Sequence, residues 1–185
     1  LSKGTEATTR NISNAMSLLC SPSIELYRRH LDGTGHERLV KDTSYLHLVK
    51  NEQDATLDDL GYQIRLQKGA NIEIVKGSAL RVLEPALSSK FEAGILTHDV
   101  ARCLSPGRLG SVLAMKAKAQ GAEIVKDEIL DLNRAEETWY LKGKESKYDT
   151  QSLVISAGAW SRELLSQIGL SVPLMTERGY HIHCA

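Results

Sequence analysis

Residues 152–183 read SLVISAGAWSRELLSQIGLSVPLMTERGYHIH, and the fold turns on how this run is parsed. Residues 152–156 are apolar and β-branched at their centre, which predicts a buried strand. Ala157-Gly158-Ala159 then turns the chain into a short helix at 160–168. Gly169 stops that helix, and a second strand leads through Pro173 into Glu177-Arg178-Gly179-Tyr180. A strand entering a helix through small residues lets another backbone or a ligand come close, because Gly158 carries no Cβ.

Before this run the chain mixes helices and strands. Residues 1–9 are polar and read as loose chain. Ile12, Met16, Leu19, Ile24, Tyr27 and Leu31 fall at helical spacing, and Pro22 splits them into two helices, the second at 22–31. A strand follows at 40–50, then a helix at 57–67 capped by Thr56 and ended by Gly69. A strand at 72–75, a helix at 78–83 stopped by Pro85 and a short strand at 94–96 come next. Ser105-Pro106 opens the clearest helix, with Leu109, Val112, Leu113 and Ala117 on one face and Gly121 closing it. Short strands at 123–125 and 129–132 precede a hairpin, 138–141 and 147–149, around the Lys142-Gly143-Lys144 turn. Only the last third has the strand-turn-helix rhythm of a dinucleotide fold, so the class is α+β, or mixed α/β.

Composition excludes several functions. The 23 Lys+Arg balance 23 Asp+Glu, so no global field draws nucleic acid or an anionic membrane. No run of about 18 apolar residues reads as a membrane span, and the N-terminus lacks a signal-peptide layout. Cys20, Cys103 and Cys184 are widely spaced without a CxxC, which predicts free thiols in a reducing, cytoplasmic setting. No metal site is read: His181 and His183 share a strand face near Cys184, but no carboxylate or second cysteine has matching spacing. Asp58-Asp59 and Glu136-Glu137 are neighbours that point apart, and Arg28-Arg29-His30 is too short for a nucleic-acid patch. Neither Ser156 nor Ser161 lies in a Gly-x-Ser-x-Gly frame, so a hydrolase elbow is unsupported.

Four motifs stand in a telling order. They are Leu83-Glu84-Pro85-Ala86-Leu87; Cys103 to Leu109, CLSPGRL; Gly121-Ala122-Glu123-Ile124-Val125 followed by Ile129; and Ala157-Gly158-Ala159-Trp160-Ser161 with Arg178-Gly179-Tyr180 behind it. Together they resemble the FAD-dependent amine oxidoreductases of the D-amino-acid dehydrogenase, glycine oxidase and sarcosine oxidase group. Leu104-Ser105 stand where Val-Asp are more usual in that group. The resemblance covers roughly residues 72–183. Such proteins open with Gly-x-Gly-x-x-Gly between a strand and a helix, and no such motif occurs here. With Leu at position 1 and a stop directly after an apparent strand, the expectation is a central piece of a longer protein.

The resemblance implies a substrate domain with a mixed or antiparallel sheet and flanking helices, plus part of an FAD-binding Rossmann-like domain. Residues 1–104 would be mainly substrate domain, 105–170 cofactor domain, and 171–185 a strand returning to the substrate domain. It implies that Ile129, Ala157, Gly158 and Trp160 approach FAD. It makes Arg178 and Tyr180 the substrate-side candidates, the former able to pair a carboxylate bidentately. No residue is assigned as catalytic with certainty. The implied reaction removes a hydride from the carbon bearing an amine, as in a D-amino acid, and the flavin carries the chemistry. The implied electron acceptor is oxygen or a membrane quinone, the latter placing the parent at the cytoplasmic face of a membrane. The isolated piece is expected to be inactive and not to retain FAD. Two alternatives stay open: an FAD-dependent 2-hydroxy-acid dehydrogenase of the same fold, and a non-catalytic α+β binding module.

Overall fold

His98 joins three strands of one sheet. Its Nε2 lies 2.7 Å from Glu73 Oε1, and its Nδ1 lies 3.4 Å from Ser44 Oγ. In the computed structural model, which describes residues 5–180, Ser44 lies on β1 (Val40–Val49), Glu73 on β2 (Ile72–Lys76) and His98 on the central β3 (Ala93–Cys103). Both pairings are antiparallel, in the order β1-β3-β2. Only residues 94–96 have a central strand's composition, yet β3 continues to Cys103 because β1 supplies ladder partners as far as Val40. Asp99, at φ 56°, and the register shift between Thr43 and Tyr45 absorb the polar interruption as a bulge.

Helices cover this sheet. α2 (Ser23–Leu31) and α5 (Pro106–Ala119) meet through Leu31, Leu109 and Val112, with Leu39 completing the cluster. α4 (Gly77–Leu83) drives Leu80 against Val75 and Leu96. The Arg81 guanidinium donates to the carbonyls of Leu87, Ser88 and Phe91, so one cation holds the loop after Pro85. α3 (Leu60–Gln67) contributes the buried Ile64, while its Tyr62 Oη lies 2.8 Å from His47 Nδ1. It starts three residues later than expected, since Thr56 Oγ1 accepts from the Asp58 N–H and makes a turn instead of a cap. α1 (Glu6–Cys20) likewise corrects the loose-chain expectation for residues 6–9: Thr5 Oγ1 caps the Thr8 N–H at 3.2 Å.

The chain divides into two compact units after Ala122, and α5 belongs to the first by its packing. The second holds β4 (Ile129–Ala135), β5 (Thr138–Gly143) and β6 (Lys147–Thr150), an antiparallel meander, and the helix α6 (Ser161–Gln167). Three expected strands are not formed. Residues 123–125, 152–156 and 171–180 join no ladder among the described residues. Each has apolar or β-branched composition, but a strand exists only where a neighbour takes its backbone bonds. Residues 152–156 keep the alternating exposure of a strand without a partner. His181, His183 and Cys184 lie outside the described residues. No helix among the described residues is long and apolar enough to cross a membrane.

Candidate functional site

The site is built around the start of β4. Asp127, two residues before Ile129, accepts hydrogen bonds from the N–H groups of Glu128, Glu145 and Ser146 and from Tyr148 Oη, at 2.8 to 3.1 Å. It thereby ties the entrance of β4 to the β5–β6 turn. Partial burial pushes its carboxyl up, but the Tyr148 hydroxyl and the three N–H groups outweigh that and hold it below the usual carboxylate range. The same bond, with burial adding to it, pushes the Tyr148 hydroxyl up. Gly143 passes so close that a Cβ would sit 2.6 Å from Asp127 Cγ and 2.9 Å from Ser146 O. This glycine serves close approach, with Asp127 filling the space a side chain would need.

The opposite wall comes from the turn into α6. Gly158 has φ 56°, and residues Gly158–Trp160 form one tight helical turn. The Ala157 N–H donates to Ser161 Oγ at 3.1 Å, and the Trp160 N–H to the Ala157 carbonyl at 3.2 Å. Nothing lies within 4 Å of a Cβ built on Gly158, so glycine here meets a backbone angle and not a contact within this chain. Gln167, at the end of α6, reaches β4: its Oε1 accepts from the Leu132 N–H at 2.9 Å, and its Nε2 donates to the Leu130 carbonyl at 3.2 Å.

Between these walls lies a cavity of about 550 Å³. Ile129, Leu130, Ala157, Trp160 and Leu164 give it apolar surface, while Asp127, Glu128 and Glu163 give it acid groups. Three residues singled out in the sequence, Ile129, Ala157 and Trp160, therefore line one space, and Gly158 shapes its edge without lining it. Trp160 is 74% exposed, leaving most of its ring open to a ligand. Arg178 and Tyr180 do not join this cavity; both are on irregular chain, with Tyr180 87% exposed. Among the described residues no group of three His, Cys, Asp or Glu is arranged to hold a metal ion. Sequence reasoning missed Asp127, Gly143 and Gln167, each of which has a partner 16 or more residues away along the chain.

Residues 3–185 match the model of the FAD dependent oxidoreductase family. The chain belongs to that family. It is 27% identical over 183 residues to a D-amino-acid oxidase from Bradyrhizobium diazoefficiens, covering 98% of this chain and 43% of that protein. It superposes on glycine oxidase from Geobacillus kaustophilus with a TM-score of 0.69 at 20% identity, covering 92% of this chain and 45% of the other. L-proline dehydrogenase from P. horikoshii gives a TM-score of 0.67 at 19% identity, covering 91% and 43%. The chain thus spans less than half the length of each of these proteins.

Proposed function

We propose that this chain supplies the adenosine-side wall of an FAD site in an oxidoreductase acting on the C–N bond of a D-amino acid or related amine. The observation that carries the reading is the convergence of Ile129, Ala157 and Trp160 on one cavity. Its volume falls in the ordinary range for a small-molecule site. Apolar side chains and the Trp160 ring offer faces for a flat heterocycle, while Glu128 and Glu163 offer acceptors to hydroxyl and amino donors. No Lys or Arg lines it, so the fit is to the uncharged end of the cofactor and not to its pyrophosphate. When bound, FAD supplies the hydride acceptor of the reaction. The residues of this chain bind and orient: β4 presents its first backbone groups, and the turn at Gly158 sets the Ala157 and Trp160 surfaces. Arg178 is assigned to the substrate carboxylate and Tyr180 to the substrate side, both on irregular, exposed chain.

The test uses the intact protein that carries this chain. Purified with flavin, it should absorb in the flavin bands, and D-alanine or glycine should bleach them without oxygen. Bleaching by 2-hydroxyglutarate alone would replace the amine substrate with a hydroxy acid. A colourless protein that FAD cannot reconstitute would overturn the enzyme reading in favour of a binding module. Oxygen uptake against reduction of a soluble quinone then identifies the electron acceptor.

A further inference from the structure

We propose that Gln167 is the positioning residue of this site: its side-chain amide acts as a one-rung strand on the open edge of β4. The inference rests on the cofactor reading above. On its other edge β4 pairs with β5, with Leu132 opposite Leu141 and a register shift between Ile129 and Asp131. The Leu130 carbonyl and the Leu132 N–H are the two backbone groups that a further strand would take. Gln167 takes both, at 3.2 and 2.9 Å, which a primary amide can do because it carries one acceptor and one donor on the same plane. Asp131 Oδ1 also approaches the Leu132 N–H, at 3.0 Å, but a carboxylate has no hydrogen for the Leu130 carbonyl.

The consequence falls on the cavity. Gln167 is the last residue of α6, a helix with seven residues and Ser161 as its buried position. The turn that leads into it carries Ala157 and Trp160, which line one side of the cavity, and Ile129 and Leu130 line the other. The amide therefore sets the separation of the two walls from the far end of the helix. Gln167 lines the cavity itself, so its loss opens the floor as well as releasing the wall. A ligand gripped between walls that must first be ordered binds more weakly than one entering a preformed site.

Two variants in the intact protein test this. Gln167→Met keeps the length and removes both hydrogen bonds. Gln167→Glu keeps the acceptor but sets a carboxylate against the Leu130 carbonyl until it takes up a proton. We expect Gln167→Met to weaken FAD binding about tenfold at every pH, the equivalent of one hydrogen bond. Gln167→Glu should match it near neutral pH and recover toward the parent affinity only near about pH 4, where an exposed Glu facing a carbonyl takes up its proton. Hydrogen exchange in the apoprotein should rise over 157–167 in both variants near neutral pH and stay unchanged in the β4–β5 ladder. A general loss of stability would not produce recovery on acidification that the parent lacks. If the parent binds FAD and both variants bind it within about twofold of the parent, Gln167 positions nothing and the cofactor reading stands. If the parent binds no FAD, the cofactor reading falls, and this inference with it. Should Gln167→Met fail to fold, the two pH values of Gln167→Glu decide alone.

Discussion

Leu80 and Leu132 are fully buried leucines of the two units, at 0% and 2% exposed, and their surroundings differ. Leu80 sits among Val75, Leu96, Leu46, Leu48 and Leu87, an apolar cluster drawn from a helix, three strands and a loop. Leu132 is the one buried large apolar side chain among the described residues of the second unit. Its strand is held by polar ties, Asp127 at one end and Gln167 along the edge. Dispersed apolar contacts tolerate change of detail, whereas a polar hub depends on the placement of single atoms. The first unit should therefore respond to side-chain volume and the second to hydrogen-bond chemistry and pH.

Truncating the core should have the largest effect. Leu80→Ala is expected to cost about 2–5 kcal/mol, and Leu132→Ala should fall toward the lower end of that range because fewer buried neighbours lose contact. Urea unfolding of both variants checks this, and equal costs would break the contrast. Gly143→Ala comes next, at about 1–3 kcal/mol, as the new methyl forces Asp127 or the Ser146 carbonyl to move. Its signature is faster hydrogen exchange in the β5–β6 turn, and an unchanged turn would mean that Asp127 has room to yield.

Asp127→Asn should be milder, and pH reveals it. The folded carboxyl titrates below its unfolded value, so the unfolded chain binds more protons in acid. Its stabilisation is present above about pH 4 and is lost as pH falls through the folded value. For Tyr148 the sign reverses, since its folded pKa is raised: its share is intact below about pH 10 and is lost as pH rises through the folded value. Thermal melts across pH should show Asp127→Asn flattening the acid limb, and Tyr148→Phe the alkaline limb. Glu37→Gln in the first unit should have the smallest effect. Its carboxyl is held low by the N–H groups of its own residue and of Gly35, but it is exposed to water. An acid limb governed by Glu37 instead of Asp127 would reverse the assignment of pH sensitivity.

The same contrast explains what the sequence made legible. Helical spacing and Pro106 at the first turn were enough to find α2 and α5, because those helices bury a stripe that recurs along the chain. Gly143 looked like an ordinary turn glycine, since nothing near it in sequence announces an acid side chain 16 residues earlier. Gln167 reads as a polar helix end, and its bond to a strand 35 residues back has no local pattern. The cavity residues Ile129, Ala157 and Trp160 were legible through motif order, which is a likeness between sequences and not a deduction from their chemistry. Residues 152–156 were misread as a formed strand because composition reports preference and not the presence of a partner.

That unpaired run also governs how the chain behaves in a tube. Val154 is 85% exposed on an extended segment whose backbone groups join no ladder among the described residues. An open, apolar β-edge is a template for the same edge of another molecule. Handled alone, the chain should self-associate with rising concentration, and a lysine at position 154 should be the simplest way to keep it monomeric.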